Sequence, residues 1–477
     1  MFAKTIQEGL TCSTKDDSDM SFSHEGLDAK VKSTKLSIFV SEDHSLLQLA
    51  NLIDWEEVAE IALPNLKTTT QKGFWNRGRT LYLRIHLSVL FLQVLFKYKD
   101  REVERLVSQT PLYQVFCGIK IVKKWKCPDH TKIEDFRNRL SPETQKKLND
   151  YILQLASNIG YADPSQVDID STVQEANMAY PSDASLMKKL AIKCKKTLDY
   201  MIEKSKRYLP KNLSIDIKSI IKKSREYFFL AKNTEVERKR ELFSEYHALV
   251  KKELKDFIKF AENLSPQALS HLPWNYQVNI REIKELAWRY ILDVAHFVRN
   301  DTIKRGKILS FKLKDVICVK KNKPGKDKEF GRVFQLGRIK GNFLVVYLCT
   351  NLEMNDKEVF RDLLQEHEEI FGEEVLESIT IDKGYYSRKN IRYVEENTGS
   401  PSVGLQRLVN IKDQVEDHQQ KEILYNRRSG VEPVIGHAKK FGLGRSRMKT
   451  DEATLASGYR SVLGFNLHQL VKKLEIS

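Results

Sequence analysis

Two aspartates in this chain of 477 residues stand where short runs of alternating apolar residues run out. In Gln166-Val-Asp-Ile-Asp-Ser-Thr172, Val167 and Ile169 alternate with Asp168 and Asp170; in Ser378-Ile-Thr-Ile-Asp382, Asp382 closes the run. A period of two predicts strands. In a mixed sheet, neighbouring strand ends can bring such carboxylates together across a cleft. Two unpaired carboxylates repel, whereas a magnesium ion between them becomes the largest local charge and reverses that balance. Asp168 shares a strand face with Asp170 and is its alternate. Taken singly, each aspartate also fits an ordinary turn cap.

A second pattern lies further on. Tyr425, Arg428, Glu432 and Lys439 fall at Y-x2-R-x3-E-x6-K, and on a continuous helix these offsets lie within about 60° of one another. Gly430 and Pro433 interrupt the run. Because Pro433 disfavours helical geometry at Glu432, the helix either kinks or starts there. Gly442-Leu-Gly-Arg445-Ser-Arg447 adds flexible backbone and two guanidiniums suited to phosphate forks.

At these residues the chain resembles the bacterial insertion-sequence transposases typed after insertion sequences four and five, a group with a Tyr-Arg-Glu-Lys signature. Arg427-Arg-Ser-Gly-Val-Glu-Pro-Val-Ile-Gly-His-Ala-Lys439 is similar to that signature, and Ile381-Asp-Lys-Gly-Tyr385 to the group's second-aspartate motif. Asp170-Ser-Thr-Val-Gln-Glu-Ala-Asn177 with Tyr180-Pro-Ser-Asp183 resembles the first. Asp54-Trp55, Tyr98-Lys-Asp-Arg-Glu102 and Pro128-Asp-His-Thr131 are similar to the N-terminal helical domain. The resemblance implies a ribonuclease-H-like fold with Asp170, Asp382 and Glu432 as catalytic ligands of magnesium or manganese. It implies a partner, double-stranded DNA, cleaved at an element's ends and joined to a target, with a homodimer assembled on that DNA in the bacterial cytoplasm at the nucleoid. Arg428 and Lys439 would hold phosphates, and Tyr425 would pack on the backbone or a displaced base. A non-catalytic DNA-binding derivative and a stand-alone metal-dependent nuclease are the alternatives.

Elements must position these groups. Residues 1–44 lack sustained periodicity and read as a flexible tail. Residues 45–160 carry helical spacing throughout, with Ser141-Pro142 as a cap and first turn and Thr131 with Glu134 as a capping box. They read as a helical DNA-binding domain with its own core, offering Lys72, Arg77, Arg79, Lys120, Lys123, Lys124 and Lys126 to phosphates. Residues 161–477 read as the catalytic domain, α+β with a mixed sheet, interrupted at about 184–303 by a helical insertion. A hairpin is expected at 332–349 around Lys340-Gly-Asn342, then a helix at 355–371, a strand at 378–382, a helix at 387–397, a strand at 402–409 and a helical end.

Composition limits the classes. The 80 Lys and Arg against 64 Asp and Glu give a net charge of +16, which attracts polyanions without fixing a fold. Six scattered cysteines without a CxxC pair suit reduced thiols, and Cys127-Pro-Asp-His130 lacks a second ligand pair for zinc. Lys320, Lys321, Lys323, Lys326 and Lys328 form a basic loop around Pro324-Gly325, read as solvated. The apolar stretch Leu87–Phe96 is half the length of a membrane span, and no apolar leader opens the chain, so an intracellular protein is expected.

Overall fold

Amphipathic helices can hide their apolar stripes only against another apolar surface, and here a sheet provides it. The computed structural model describes residues 11–12, 20–24, 27–31, 36–37, 41, 43–66, 79–119, 127–205, 213–230, 234–300, 302, 304, 306–323, 326–350, 356–397, 402–405 and 418–476. It divides into two compact units. The first comprises Met1–Glu175, Arg332–Thr350 and Met354–Ser477; the second is essentially Ala176–Gly331.

Helices α1 (Ser45–Leu52), α2 (Trp55–Leu66), α3 (Arg79–Phe96), α4 (Asp100–Gln109), α5 (Pro111–Phe116), α6 (His130–Arg139) and α7 (Pro142–Asn158) precede strand β1 (Asp163–Glu175). The second unit contributes α8 (Asp183–Ser205), α9 (Ile217–Leu230), α10 (Val236–Glu262), α11 (Pro266–Ser270) and α12 (Trp274–Asn300). There follow β2 (Lys326–Lys340), β3 (Phe343–Thr350), α13 (Asp356–Phe371), β4 (Ser378–Ile381), α14 (Arg388–Asn397), β5 (Ser402–Leu405), α15 (His418–Ser429), α16 (Val431–Ala438) and α17 (Asp451–Leu474). Ser141 caps α7 by accepting from the Thr144 amide, with Pro142 in the first turn. The cap of α6 is Asp129 instead of Thr131: its carboxylate accepts from the Thr131 amide, a geometry a short side chain two residues earlier reaches directly. Within the segment read as a tail, Met20–His24 pairs antiparallel with Leu27–Val31, and Thr11–Cys12 with Leu36–Ser37. Met20 and Phe22, like Leu27, Ala29 and Val31, have the alternation a hairpin uses.

In the first unit the sheet runs β3-β2-β1-β4-β5, with β2 and β3 antiparallel and β1, β4 and β5 parallel. Gly341 and Asn342 turn the β2–β3 hairpin with φ of 99° and 65°, the two positive angles a two-residue turn requires. Both faces of the hairpin are covered, which is why β3 reads Phe-Leu-Val-Val-Tyr-Leu without polar alternation. Leu344 and Val346 join Val431, Ile435 and Phe465 on one side; Phe343, Val345 and Tyr347 meet the N-terminal helices on the other. One apolar cluster runs from α1 through α3 and α7 to Ile169, Ile381 and Leu467. Residues 45–160 therefore do not close on a core of their own. Their stripes are too wide to satisfy one another and are finished by the sheet and α17.

Helix α17 passes close to its neighbours. Asn466, fully buried, accepts from the Leu344 amide at 2.8 Å and donates to the Leu344 carbonyl at 2.7 Å, so it satisfies one stretch of the edge strand. Gly464 lies against α3, where an added Cβ would sit 2.5 Å from the Val94 carbonyl oxygen.

In the second unit, α8–α10 and α12 enclose a separate cluster around Leu190, Tyr246, Phe257, Ile283 and Tyr290. Residues 326–331 of β2 pair antiparallel there with Ile317–Lys323, and the Ala176 amide donates to the Phe330 carbonyl at 2.8 Å. Residues 176–331 hold 35 Lys and Arg against 19 Asp and Glu, a net +16, and the rest of the chain holds 45 of each.

The tight passage at Gly464 predicts a measurable penalty. Gly464→Ala should lower the free energy of unfolding by roughly 1–3 kcal/mol, because a backbone carbonyl cannot step aside. Gly436→Ala, exposed on α16 with nothing within 4 Å of its added Cβ, should be neutral or gain up to about 1 kcal/mol. Denaturant midpoints of the two variants test this; equal midpoints would discount the close approach.

Candidate active site

Strands β1 and β4 lie side by side with Asp168 opposite Thr380 and Ile169 opposite Ile381. Asp382 follows the last residue of β4, whereas β1 continues to Glu175, so Asp170 lies within β1 and not at the strand end the sequence predicts. The two residues still follow the paired Ile169 and Ile381, on strands about 4.8 Å apart. The apolar alternates Val167, Ile169, Ile379 and Ile381 are buried and fix which face the carboxylates take. Asp170 is half-buried and accepts from the Ser171 amide at 2.7 Å. Burial pushes its carboxyl above the usual carboxylate range. The Ser171 amide and Arg428 pull it down, while the charges of Asp382 and Glu432 push it further up. Asp382 holds Arg428, Nη2 to Oδ1 at 2.8 Å. The fold thus brings Asp170, Asp382, Arg428 and the exposed Glu432 into one electrostatic neighbourhood.

Asp168 has a different environment. It is 3% exposed and accepts from Arg338 at 2.7 and 3.1 Å, from Arg427 Nε at 2.6 Å and from the Thr380 hydroxyl at 2.6 Å. Arg427 also donates to the Ser378 hydroxyl at 2.9 Å and to the Val167 and Ser378 carbonyls at 3.3 Å, and Arg338 donates to the Arg427 carbonyl. Every lone pair of Asp168 is spoken for, which removes it as the alternate to Asp170. Arg427 and Arg338 carry no signal that periodicity detects. The adjacent pair Arg427-Arg428, two residues about 100° apart on a helix, was the available hint.

Tyr425 and Arg428 lie on α15, and Glu432 on α16. Gly430 separates the two, and a Cβ there would sit 2.4 Å from Arg338 Nη1. Of the two expected outcomes, a kink or a new start near Glu432, the structure has the new start, at Val431. Pro433 is tolerated because it lies in the first turn of α16, where an N–H has no partner to lose. The side chain of Tyr425 lies outside the described residues. Lys439 is exposed where α16 passes into a π-helical turn, and Gly442 has φ 114°. Exposed Arg445 bridges Glu175 in parallel, with the Glu175 amide donating to the Gly444 carbonyl at 3.1 Å, so 444–446 extends alongside the end of β1. Arg447 is exposed beside it. Of the N-terminal cations, Lys72, Arg77, Lys120, Lys123, Lys124, Lys126 and the side chain of Arg79 lie outside the described residues, as do those of Lys323 and Lys326; Lys320 and Lys328 are exposed, and Lys321 is half-buried.

Among the described residues, one trio has its ligand atoms within 4.8 Å of one another: Glu104, Asp129 and His130. Its contacts belong to a helix start. Asp129 caps α6, and Glu104 accepts from the His130 amide at 3.0 Å and meets its Nδ1 at 2.9 Å. Asp170, Asp382 and Glu432 are set wider than that trio. Asp168→Ala, which strands two guanidiniums, should cost about 3–5 kcal/mol of stability. Arg427→Lys should recover little of a pairing that uses three donor nitrogens at once. Urea unfolding of both variants checks this, and a loss under about 1 kcal/mol for Asp168→Ala would show the clamp to be dispensable.

Comparison with known proteins then bears on the site. Residues 34–139 match the family described as transposase domain (DUF772), and residues 319–460 the transposase DDE domain. A curated relative, an uncharacterized protein called ORF8 in the nfe locus of Rhizobium meliloti, is 25% identical over 157 residues, 32% of this chain and 72% of that protein. No solved structure matches. Among the described residues no helix is long and apolar enough to cross a membrane. The second match contains Asp382, Arg428 and Glu432 and spans every strand of β3-β2-β1-β4-β5 except β1, while the first spans helices α1 to α6: the chain matches a transposase domain followed by a transposase DDE domain.

Proposed function

We propose that the chain is a metal-dependent DNA transposase that cuts element ends and transfers the freed 3′-hydroxyl into target DNA. The observation that carries this reading is the juxtaposition of Asp170, within β1, with Asp382, just past the end of the parallel strand β4, close enough to Glu432 for its charge to act on Asp170. The strand order β3-β2-β1-β4-β5, an antiparallel hairpin followed by parallel strands, supports a ribonuclease-H-like fold.

Three carboxylates, without thiolate or imidazole, are the donor set that magnesium or manganese takes, and their mutual repulsion is a reason to bind a cation. Asp170, Asp382 and Glu432 would hold it. Bound there, a divalent metal pair would activate the attacking oxygen and stabilise the leaving one at phosphorus. The remaining work falls to the chain. The clamp on Asp168 holds β1, β4 and α15 in register, which keeps the three carboxylates at fixed spacing. Arg428, balanced here by Asp382, is a guanidinium beside these carboxylates that would hold a phosphate. Lys439, Arg445, Arg447 and Tyr425 would line the path of the DNA.

The partition of charge supports residues 176–331 as the main contact for the DNA backbone, ahead of the N-terminal helices. On α10, Lys251, Lys252, Lys255 and Lys259 are exposed within an arc of about 100°, and no salt bridge among the described residues reaches them. Two element ends must be brought together, which calls for two copies of the chain.

Two outcomes follow. Asp170→Asn should abolish cleavage of a duplex carrying the DNA that flanks the reading frame, while leaving its binding intact. The same variant should be more stable than the wild type in metal-free buffer near neutral pH. A carboxyl raised in the fold stabilises it only while protonated; that stability is lost as pH rises through the raised value, and Asn has no charge to lose. The gain should disappear below about pH 4. Robust cleavage by the pure variant would end the carboxylate assignment, and nicks without joined strands would leave a nuclease. For the basic face, changing the four α10 lysines to Gln should flatten the log–log salt dependence of DNA binding by up to about 0.9 for each phosphate left without its lysine. An unchanged slope would move DNA binding elsewhere.

A further inference from the structure

Helix α12 has one face that its own unit does not cover. Ile283 is fully buried, and Trp274, Arg281, Glu285, Trp288 and Leu292 are exposed on the opposite side, with Val278 half-covered among them. Trp274 is 72% exposed and Trp288 52%. At 3.6 residues per turn these six side chains fall within an arc of about 80°, over a length of about 27 Å. Single exposed apolar residues are ordinary, whereas two tryptophans and a leucine on one helical line form a patch.

The order of the six residues identifies the occupant. In an antiparallel pair of identical helices related by a two-fold axis at residue 283, each position meets the one equally far on the other side of 283. Trp274 then meets Leu292 of the second copy, Val278 meets Trp288, and Arg281 meets Glu285. Each apolar residue finds an apolar partner, and each charge finds its opposite, twice. In a parallel pair Arg281 would face Arg281 and Glu285 would face Glu285. Neither Arg281 nor Glu285 is tied up in a salt bridge among the described residues.

We infer that this face of α12 is a homodimer interface, in which two copies of the chain pack α12 antiparallel about residue 283. Four tryptophans would anchor it, the residue type most concentrated in binding hot spots. A single helix pair lies at the small end of stable interfaces, so the association is in the micromolar range. The inference concerns assembly, and it stands apart from the carboxylate chemistry.

Sedimentation or light scattering of the full-length protein over a series up to about 100 μM tests it. The wild type should dimerise, and Arg281→Glu and Glu285→Arg should each raise the dimer Kd at least about tenfold, since both place like charges opposite one another. Mixing the two variants should restore a dimer, because the two acidic side chains at these positions on one chain then face two basic ones on the other. Unchanged helix content by circular dichroism controls for folding, and Trp274→Ser with Trp288→Ser should weaken the dimer without charge change. A wild type monomeric throughout, a dimer indifferent to both reversals, or a mixture that stays monomeric would each overturn the interface. Cleavage assays are not involved, so that failure would be distinguishable from failure of the catalytic reading.

Discussion

Asp168 accepts hydrogen bonds from two guanidiniums and a hydroxyl that arrive from β2, β4 and α15, while its own backbone belongs to β1. Burying a lone carboxylate would cost several kcal/mol, and only close, multiple, charge-assisted bonds offset such a cost. The four elements can therefore come together in only one way. Asp170 follows two residues later on the same strand face, Arg428 is the next residue after Arg427, and Asp382 lies two beyond Thr380. An error in the register of any of these would unpair a buried charge. The arrangement of Asp170, Asp382 and Arg428 is thus inherited from the contact at Asp168.

The neighbouring carboxylates are built the opposite way. Asp170 sits between two other negative groups and is only partly balanced by Arg428. Where Asp168 is fully satisfied, Asp170 is left with a raised carboxyl and a standing need for positive charge. On the proposed reading the difference has a reason: a structural ion pair is stable once closed, whereas a site that takes up a cation keeps its electrostatic deficit until the cation arrives.

Insertion of the segment Ala176–Gly331 between β1 and the body of β2 leaves the sheet intact for a similar reason. The ends of the insertion meet, with Ala176 bonded to Phe330, and its helices bury their stripes in a cluster of their own. A segment with its own core and adjacent ends asks little of its host. It also carries the whole positive excess of the chain, so the long-range attraction for polyanions and the carboxylates Asp170, Asp382 and Glu432 reside in different parts of the sequence.

Local pattern in the sequence was enough for the strands bearing Asp170 and preceding Asp382, though not for the continuation of β1 to Glu175, and for the hairpin turning at Gly341-Asn342, the capped start of α7 and the helix before β4. Each depends on side chains within a few residues of one another. The spacing of Tyr425, Arg428, Glu432 and Lys439 was visible too, and Gly430 with Pro433 marked the break, although the neighbour that crowds Gly430, Arg338, is far away along the chain. The heptad-like placing of Trp274, Arg281 and Trp288 was likewise written in the sequence, yet their exposure was not. Tertiary structure alone decided that Asp168 is clamped by two guanidiniums while Asp170 stands beside other carboxylates. It also decided that residues 45–160 share the core of the sheet, and that Arg427 takes the carboxylate 259 residues upstream. The physical reason is that burial and ion pairing depend on which groups meet in space, and periodicity along a chain records only which face of its own element a side chain takes.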